Sequence, residues 1–206
     1  MPLQLKLRLS TEDDVPFLKA LWHTEFGWTE ETSERFIEQT FPDSYCIISE
    51  NYKKPHAALC LIPAYYSGKK TFSVYAVATE AKYRGMGIMS RTIETIMQWC
   101  TENECALIAK TNAKSAERFF AHRGMRPALF YDYIATRESK QTREGTKMIV
   151  RDIGDDDYIA ARHEYAAEGK TAEYNDGFMR FLLLKFRRDG GRVLRIAYGY
   201  SRFCAM

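Results

Sequence analysis

The sequence predicts an α/β fold, a mixed sheet with helices on both faces, and three observations carry that expectation. Runs of β-forming residues alternate with segments whose apolar residues recur at helical spacing. One stretch, residues 74–91, passes from strand through a glycine turn into a helix without interruption. The chain of 206 residues, 46% hydrophobic and 28% charged, is long and apolar enough to bury a sizeable core.

Residues 3–9 alternate apolar and polar, as a half-buried strand does. Ser10 or Thr11 then caps a helix whose positive end is suited by Glu12, Asp13 and Asp14 and whose apolar face is Val15, Leu18, Leu21 and Trp22. Gly27 interrupts, and residues 30–41 form a second amphipathic helix with Phe36 and Ile37 inward. Strands follow at 45–49, 57–65 and 70–78, joined by turns at 51–55 and at Ser67-Gly68. A helix spans 88–101, with Ile88, Ile93, Ile96 and Met97 roughly on one face. A strand at 106–110, a helix at 113–122 and a strand near 128–134 complete the order β-α-α-β-β-β-α-β-α-β.

Residues 137–146 are polar without apolar periodicity and read as a linker. This divides the chain into a first domain, 1–136, and a remainder, 147–206. The remainder repeats the beginning: the run from Met148 to Asp157 parallels the run from Lys6 to Asp14. Helices at 158–168 and 176–188 and a strand at 192–198 give a short β-α-α-β copy, which stops before any glycine turn and should hold no second site. Its end, SRFCAM, is expected either of a truncated form of a longer two-domain protein or of a short tail packed on the main sheet. An unpaired strand at 192–198 would offer a docking or homodimer edge.

Bulk properties exclude several classes. A net charge of +3 with no Lys/Arg run gives no reason to expect nucleic acid. The five cysteines (Cys46, Cys60, Cys100, Cys105 and Cys204) are scattered, and with four histidines they make no zinc pattern, so buried, reduced thiols and no metal are expected. The N-terminus has no apolar leader and no stretch approaches about 18 apolar residues, which points to a cytoplasmic protein without a membrane partner.

The chemistry concentrates in the turn Lys82-Tyr83-Arg84-Gly85-Met86-Gly87-Ile88. The first N–H groups of a helix have no intrahelical partners, the macrodipole is positive there, and glycine lets a phosphate approach the backbone. Lys82 and Arg84 add formal charge, so the turn reads as a pyrophosphate cradle. The dinucleotide fingerprint is only half matched, since Ser90 stands where a third glycine belongs and neither Glu102 nor Glu104 clearly ends a second strand. A P-loop is excluded because no Gly-Lys-Ser/Thr follows. A dinucleotide-binding oxidoreductase remains a remote alternative.

Residues 77–91, VATEAKYRGMGIMSR, resemble motif A of the GNAT superfamily of N-acetyltransferases, Gln/Arg-x-x-Gly-x-Gly/Ala after a strand. Here it reads Lys82-x-x-Gly85-x-Gly87. Phe119-Phe120-Ala121-His122-Arg123-Gly124-Met125 resembles the later family pattern of an aromatic four residues before Gly-Phe. The element order agrees over about two-thirds of the chain. The run Tyr83 to Arg91 is similar to a bacterial branch with YRGxGIMSR, often followed by a second GNAT-like domain, so 147–206 would be a partial second copy.

The resemblance implies acetyl-CoA as co-substrate and an amine of a small molecule or protein as acceptor. It implies that Tyr75, Ala76 and Val77 hold the pantetheine arm along a strand edge, that a backbone N–H near Val77 polarises the thioester carbonyl, and that Tyr83 to Ile88 with Lys82 hold the pyrophosphate. Asn112 is one residue off the family's cofactor-contacting Asn. Two departures concern protons. Ser73 stands where a Glu base often sits, leaving Tyr75 to anchor a water, and Phe120 stands where the family places a Tyr acid. His122, Tyr131 and Tyr133 are nearby in sequence. The acceptor pocket is expected at residues 22–32, with Tyr65 and Tyr66 facing it, Glu25, Glu30 and Glu31 attracting a cation, and Trp22 and Trp28 in the core or beside substrate. The departures leave open a coenzyme A-binding sensor or scaffold without turnover.

Overall fold

A computed structural model describes residues 5–111, 113–127, 148–167, 172–198 and 201–205. The chain order is β1 (Leu5–Leu9), α1 (Val15–Phe26), α2 (Glu30–Thr40), β2 (Tyr45–Asn51), β3 (Lys54–Tyr66), β4 (Lys69–Thr79), α3 (Ile88–Glu102), β5 (Ala106–Ala109) and α4 (Lys114–Ala121). Then come β6 (Met148–Asp152), α5 (Asp155–Ala167), β7 (Glu173–Tyr174), α6 (Asp176–Arg188), β8 (Leu194–Tyr198) and β9 (Ser201–Ala205). The expected strand near 128–134, the linker at 137–146, Tyr131 and Tyr133 lie outside the described residues.

The main sheet runs β1-β2-β3-β4-β5, antiparallel except for the parallel β4–β5 pair. Its two faces carry separate cores, as strand alternation requires. Ile48, Ala58, Cys60, Ile62 and Ala78 pack against Leu18, Leu21, Trp22 and Phe36 of α1 and α2. Leu59, Leu61, Phe72 and Val74 pack against Ile93, Ile96 and Cys100 of α3, with Phe119 and Phe120 of α4 alongside. Thr11, not Ser10, opens the first helical turn, its N–H donating to Asp14 Oδ2 at 2.8 Å. Asp14 in turn takes a bidentate pair from Arg8, at 2.6 and 2.8 Å, which ties β1 to the start of α1.

The C-terminal segment is built into this body. β7 pairs antiparallel with the end of β3, Ala64 opposite Tyr174 and Tyr65 opposite Glu173. α6 has apolar residues on two sides. Phe178 and Phe181 enter the α1–α2 core, whereas Met179 and Leu183 join Tyr158, Ile159 and Val193 in a small cluster of their own. Asn175 caps α6 by accepting from the Phe178 N–H at 2.9 Å. Two features differ from the β-α-α-β expectation: the short β7 lies between the helices, and β9 follows β8. Residues 192–198 therefore give no unpaired edge, because β8 is the middle strand of β6-β8-β9, bonded on both sides.

Candidate active site

The site begins where β4 and β5 part. Their parallel pairing runs only from Thr71 opposite Ala106 to Val74 opposite Ala109. Immediately beyond, β4 carries a bulge against β3: Tyr75 pairs Cys60 and Ala78 pairs Ala58, so Ala76 and Val77 together oppose Leu59. Ala76 takes a left-handed φ of 49°, an uncommon conformation for a residue with a Cβ. From Tyr75 onward, the β4 edge that faced β5 has no strand partner among the described residues. An extended ligand arm could take up that edge by main-chain hydrogen bonding.

The bulged edge leads directly into the cradle. A short 3₁₀ turn, Ala81–Tyr83, follows Glu80, and Gly85 and Gly87 both adopt positive φ, 77° and 74°. Gly87 is the N-cap of α3 and supplies no side chain to it; the helical ladder starts with the Arg91 N–H on the Gly87 carbonyl at 3.0 Å. The amides of Ile88, Met89 and Ser90 thus stand ahead of the ladder. A Cβ built on either glycine meets nothing within 4 Å, so the turn is open at both positions, and an anion could approach the helix start there. α3 is fixed to the sheet beneath by Thr92, whose hydroxyl lies 2.7 Å from that of buried Ser49.

The basic residues of the turn divide their work. Lys82 is exposed, 3.5 Å from Glu80 and over the Tyr83 ring at 4.9 Å. Arg84 is engaged elsewhere: it pairs with Glu25 at the end of α1 and donates to the Thr79 carbonyl at 3.2 Å. Buried His56 of β3 stacks on Tyr83 at 3.7 Å between centroids and takes the Glu80 N–H on its carbonyl at 3.0 Å. Nothing in the sequence separated this histidine from an ordinary core residue.

The other sequence-predicted residues are placed as follows. Val77 is half-buried at the bulge, and Ile88 is buried below the cradle. Met86 is exposed. The Tyr75 ring lies among Trp28, Phe36, Phe178 and Phe181, at centroid distances of 6.2, 5.5, 5.0 and 6.2 Å, and burial pushes its phenol well above the ordinary value. Phe120 packs edge-on against Phe119 at 5.2 Å and offers no proton. Asn112 lies outside the described residues. Buried Ser73 accepts a hydrogen bond at 3.2 Å from the hydroxyl of Tyr174, a partner 101 residues away that the sequence did not indicate.

A cleft of about 210 Å³ opens between the α1–α2 loop and α6, lined by Phe26, Trp28, Glu31, Phe181, Lys185 and Arg188 among others. Five of the eleven residues of the expected pocket, 22–32, line it: Phe26, Gly27, Trp28, Glu31 and Thr32. Trp22 is fully buried, and Trp28 forms the floor, with Lys185 Nζ 5.7 Å from its ring. Glu25 holds Arg84 and Glu30 lies 3.4 Å from Lys19, so of the three expected acids Glu31 lines the cleft, where Asp189 is a second acid. Tyr65 is exposed at the β3 end that β7 covers. Among the described residues no His/Cys/Asp/Glu group is placed to hold a metal, and no helix is long and apolar enough to cross a membrane.

An open glycine turn at a helix start, following the end of β4–β5 pairing, is an arrangement that suits a phosphate-bearing ligand with an extended arm. The family model described as the acetyltransferase (GNAT) family matches residues 15–125, and the chain belongs to that family of N-acetyltransferases, which use acetyl-CoA. No curated protein sequence matches the chain. Among solved structures, a transcriptional regulator from Bacillus halodurans C-125 is 21% identical with a TM-score of 0.50, covering 68% of this chain and 99% of that one. A possible acetyltransferase from Clostridium difficile 630 is 14% identical with a TM-score of 0.52, covering 67% and 100%. AAC(6')-Iy, solved with the bisubstrate analogue CoA-S-monomethyl-acetylneamine, is 11% identical with a TM-score of 0.54, covering 65% and 99%. At these identities the likeness is one of fold.

Proposed function

We propose that the chain binds acetyl-CoA and transfers its acetyl group to a primary amine by direct attack. The observation that carries this reading is the coincidence of the bulge at Ala76–Val77 with the end of β4–β5 pairing, immediately before the open glycine turn. The co-substrate supplies an activated thioester. The residues supply the rest: the amides of Gly85 to Ser90 with Lys82 bind the diphosphate, and the free edge of Tyr75, Ala76 and Val77 binds the arm. The Val77 N–H polarises the thioester carbonyl, a preorganised donor of the kind worth about 2.7–4 kcal/mol.

Proton transfer falls to water rather than to a dedicated pair of side chains. Ser73 is no base at neutral pH, and its hydroxyl is occupied by Tyr174. Phe120 cannot protonate the departing sulfur, but a thiolate whose conjugate pKa is about 8.5 leaves and takes its proton from solvent. The acceptor approaches from the side of the α1–α2 loop, where Glu31 offers a carboxylate for a cationic amine. AAC(6')-Iy, which was solved with the bisubstrate analogue CoA-S-monomethyl-acetylneamine, supports an amine acceptor for this reading. We also read 147–206 as a partial second copy and place the protein in the cytoplasm.

A second reading, coenzyme A binding without turnover, is favoured by one specific arrangement. Phe178 and Phe181 of α6 close over Tyr75, the face from which an acceptor would come. Thiol release from acetyl-CoA in the presence of an amine panel separates the two. Release that depends on a particular amine supports transfer, whereas binding with no release from any amine supports the second reading.

A further inference from the structure

Arg123 stands in the turn after α4, 33 residues from Ser90, yet its guanidinium lies against the first turn of α3. One terminal nitrogen donates to Ser90 Oγ and the other to the Phe119 carbonyl. The guanidinium stacks on the Phe119 ring at 3.7 Å, and the side chain is only 14% exposed. Its Nε is buried with no hydrogen-bond partner, and the Glu94 carboxylate, 3.8 Å away, is itself 59% exposed.

A largely buried guanidinium is ordinarily matched by carboxylates in short, forked contacts. Arg123 has instead a hydroxyl, a carbonyl, a ring and one distant, solvated acid. It also lies at the wrong end of a helix. The N-terminus of α3 is the positive end, where a cation is repelled and an anion is stabilised. Two positive features, a fixed cation held against the first turn and an uncapped helix start, stand at the same end of α3. That juxtaposition is unfavourable in the free protein and becomes favourable once a dianion lies between them.

We infer that Arg123 is a binding residue of the cradle, a fixed cation that takes the diphosphate of the bound nucleotide from the α4 side. The inference rests on the cradle reading given under the proposed function. It also assigns the roles of the basic residues: Lys82 is the exposed charge, Arg84 is structural, and Arg123 is the preset one.

The test is calorimetric titration of the full chain and its variants with coenzyme A and with 3′-dephospho-coenzyme A, each at several salt concentrations. Arg123→Met keeps a stem that packs on Phe119 and removes the charge. It should weaken both ligands by the same factor, about ten- to hundredfold for one charge-assisted contact, and reduce the dependence of affinity on salt. Arg123→Lys, which keeps the charge but loses the fork, should fall between. Unchanged affinity in Arg123→Met overturns the inference. So does a loss with wild-type salt dependence, which would mean packing alone. A loss with coenzyme A but none with the dephospho form would move the contact to the 3′-phosphate and overturn the diphosphate assignment. Failure of the wild-type chain to bind either ligand is a different result and removes the cradle itself.

Discussion

Truncating Phe181 to Ala asks whether α6 belongs to the main core or merely lies on it. Phe181 is fully buried and meets four rings: Phe36 at 4.9 Å, Trp28 at 5.6 Å, Tyr75 at 6.2 Å and Phe178 at 6.4 Å. Three of these partners come from α2, β4 and the α1–α2 loop and the fourth from α6 itself, so the hole left behind is walled by several elements of the fold. Removing a Phe from such a site costs about 3–5 kcal/mol, and the lost ring pairs place this one toward the upper end. For a chain of this length that corresponds to a midpoint lowered by about 10 °C. The assay is urea unfolding followed by tryptophan fluorescence, since Trp22 and Trp28 report on the same core. Phe186→Ala, in the small C-terminal cluster, is the comparison and should lower stability by less. The reasoning is refuted if Phe181→Ala costs under about 1 kcal/mol, or if a separate early transition carries the whole loss while the tryptophan transition stays in place.

Three further outcomes follow from the same structure. Arg8 holds the Asp14 carboxyl down to about 2, so this pair stabilises the fold above the unfolded value of 3.8 and stops doing so as pH falls toward 2. Asp14→Asn should therefore lose about 2 kcal/mol at pH 7, and the wild-type and variant denaturation curves should converge in acid. His163 is raised above its ordinary value first by Asp176, 2.9 Å from Nε2, and then by Glu173, 3.0 Å from Nδ1. A raised histidine stabilises below its unfolded value and ceases to do so as pH climbs through the folded one, so His163→Gln should lower the midpoint at pH 5.5 and leave it unchanged at pH 9. The effect should stay under about 1 kcal/mol because the cluster is partly exposed. Gly87→Trp fills the open space of the turn at a positive φ, and coenzyme A binding should disappear; retention of wild-type affinity would show that the ligand lies elsewhere.

Much of the fold was legible because local rules and global packing agree. The apolar face Leu18, Leu21, Trp22 and the inward Phe36 are where helical spacing puts them, and Gly27, with φ of 64°, ends α1 as its lack of a Cβ allows. The glycine turn before α3 could be read directly, since Gly85 and Gly87 follow a strand and precede a helical apolar face. The bulge could not, because Val74 to Thr79 reads as an uninterrupted strand and only the pairing with β3 shows two residues opposing one. Long-range placements were equally hidden. Tyr174 reaches Ser73, Arg123 reaches Ser90 and His56 supports Tyr83 through tertiary contact, for which single-chain periodicity carries no signal. Tyr75 shows the limit from the other side: its position in the motif is as expected, but α6 encloses its ring.

Titration of the purified chain with acetyl-CoA, followed in the same vessel by thiol release against an amine panel, tests the central claim most directly. The account predicts saturable one-to-one binding, and release that accelerates with at least one amine. Absence of binding would contradict it, because the bulged edge of β4 and the open turn before α3 would then hold no such ligand.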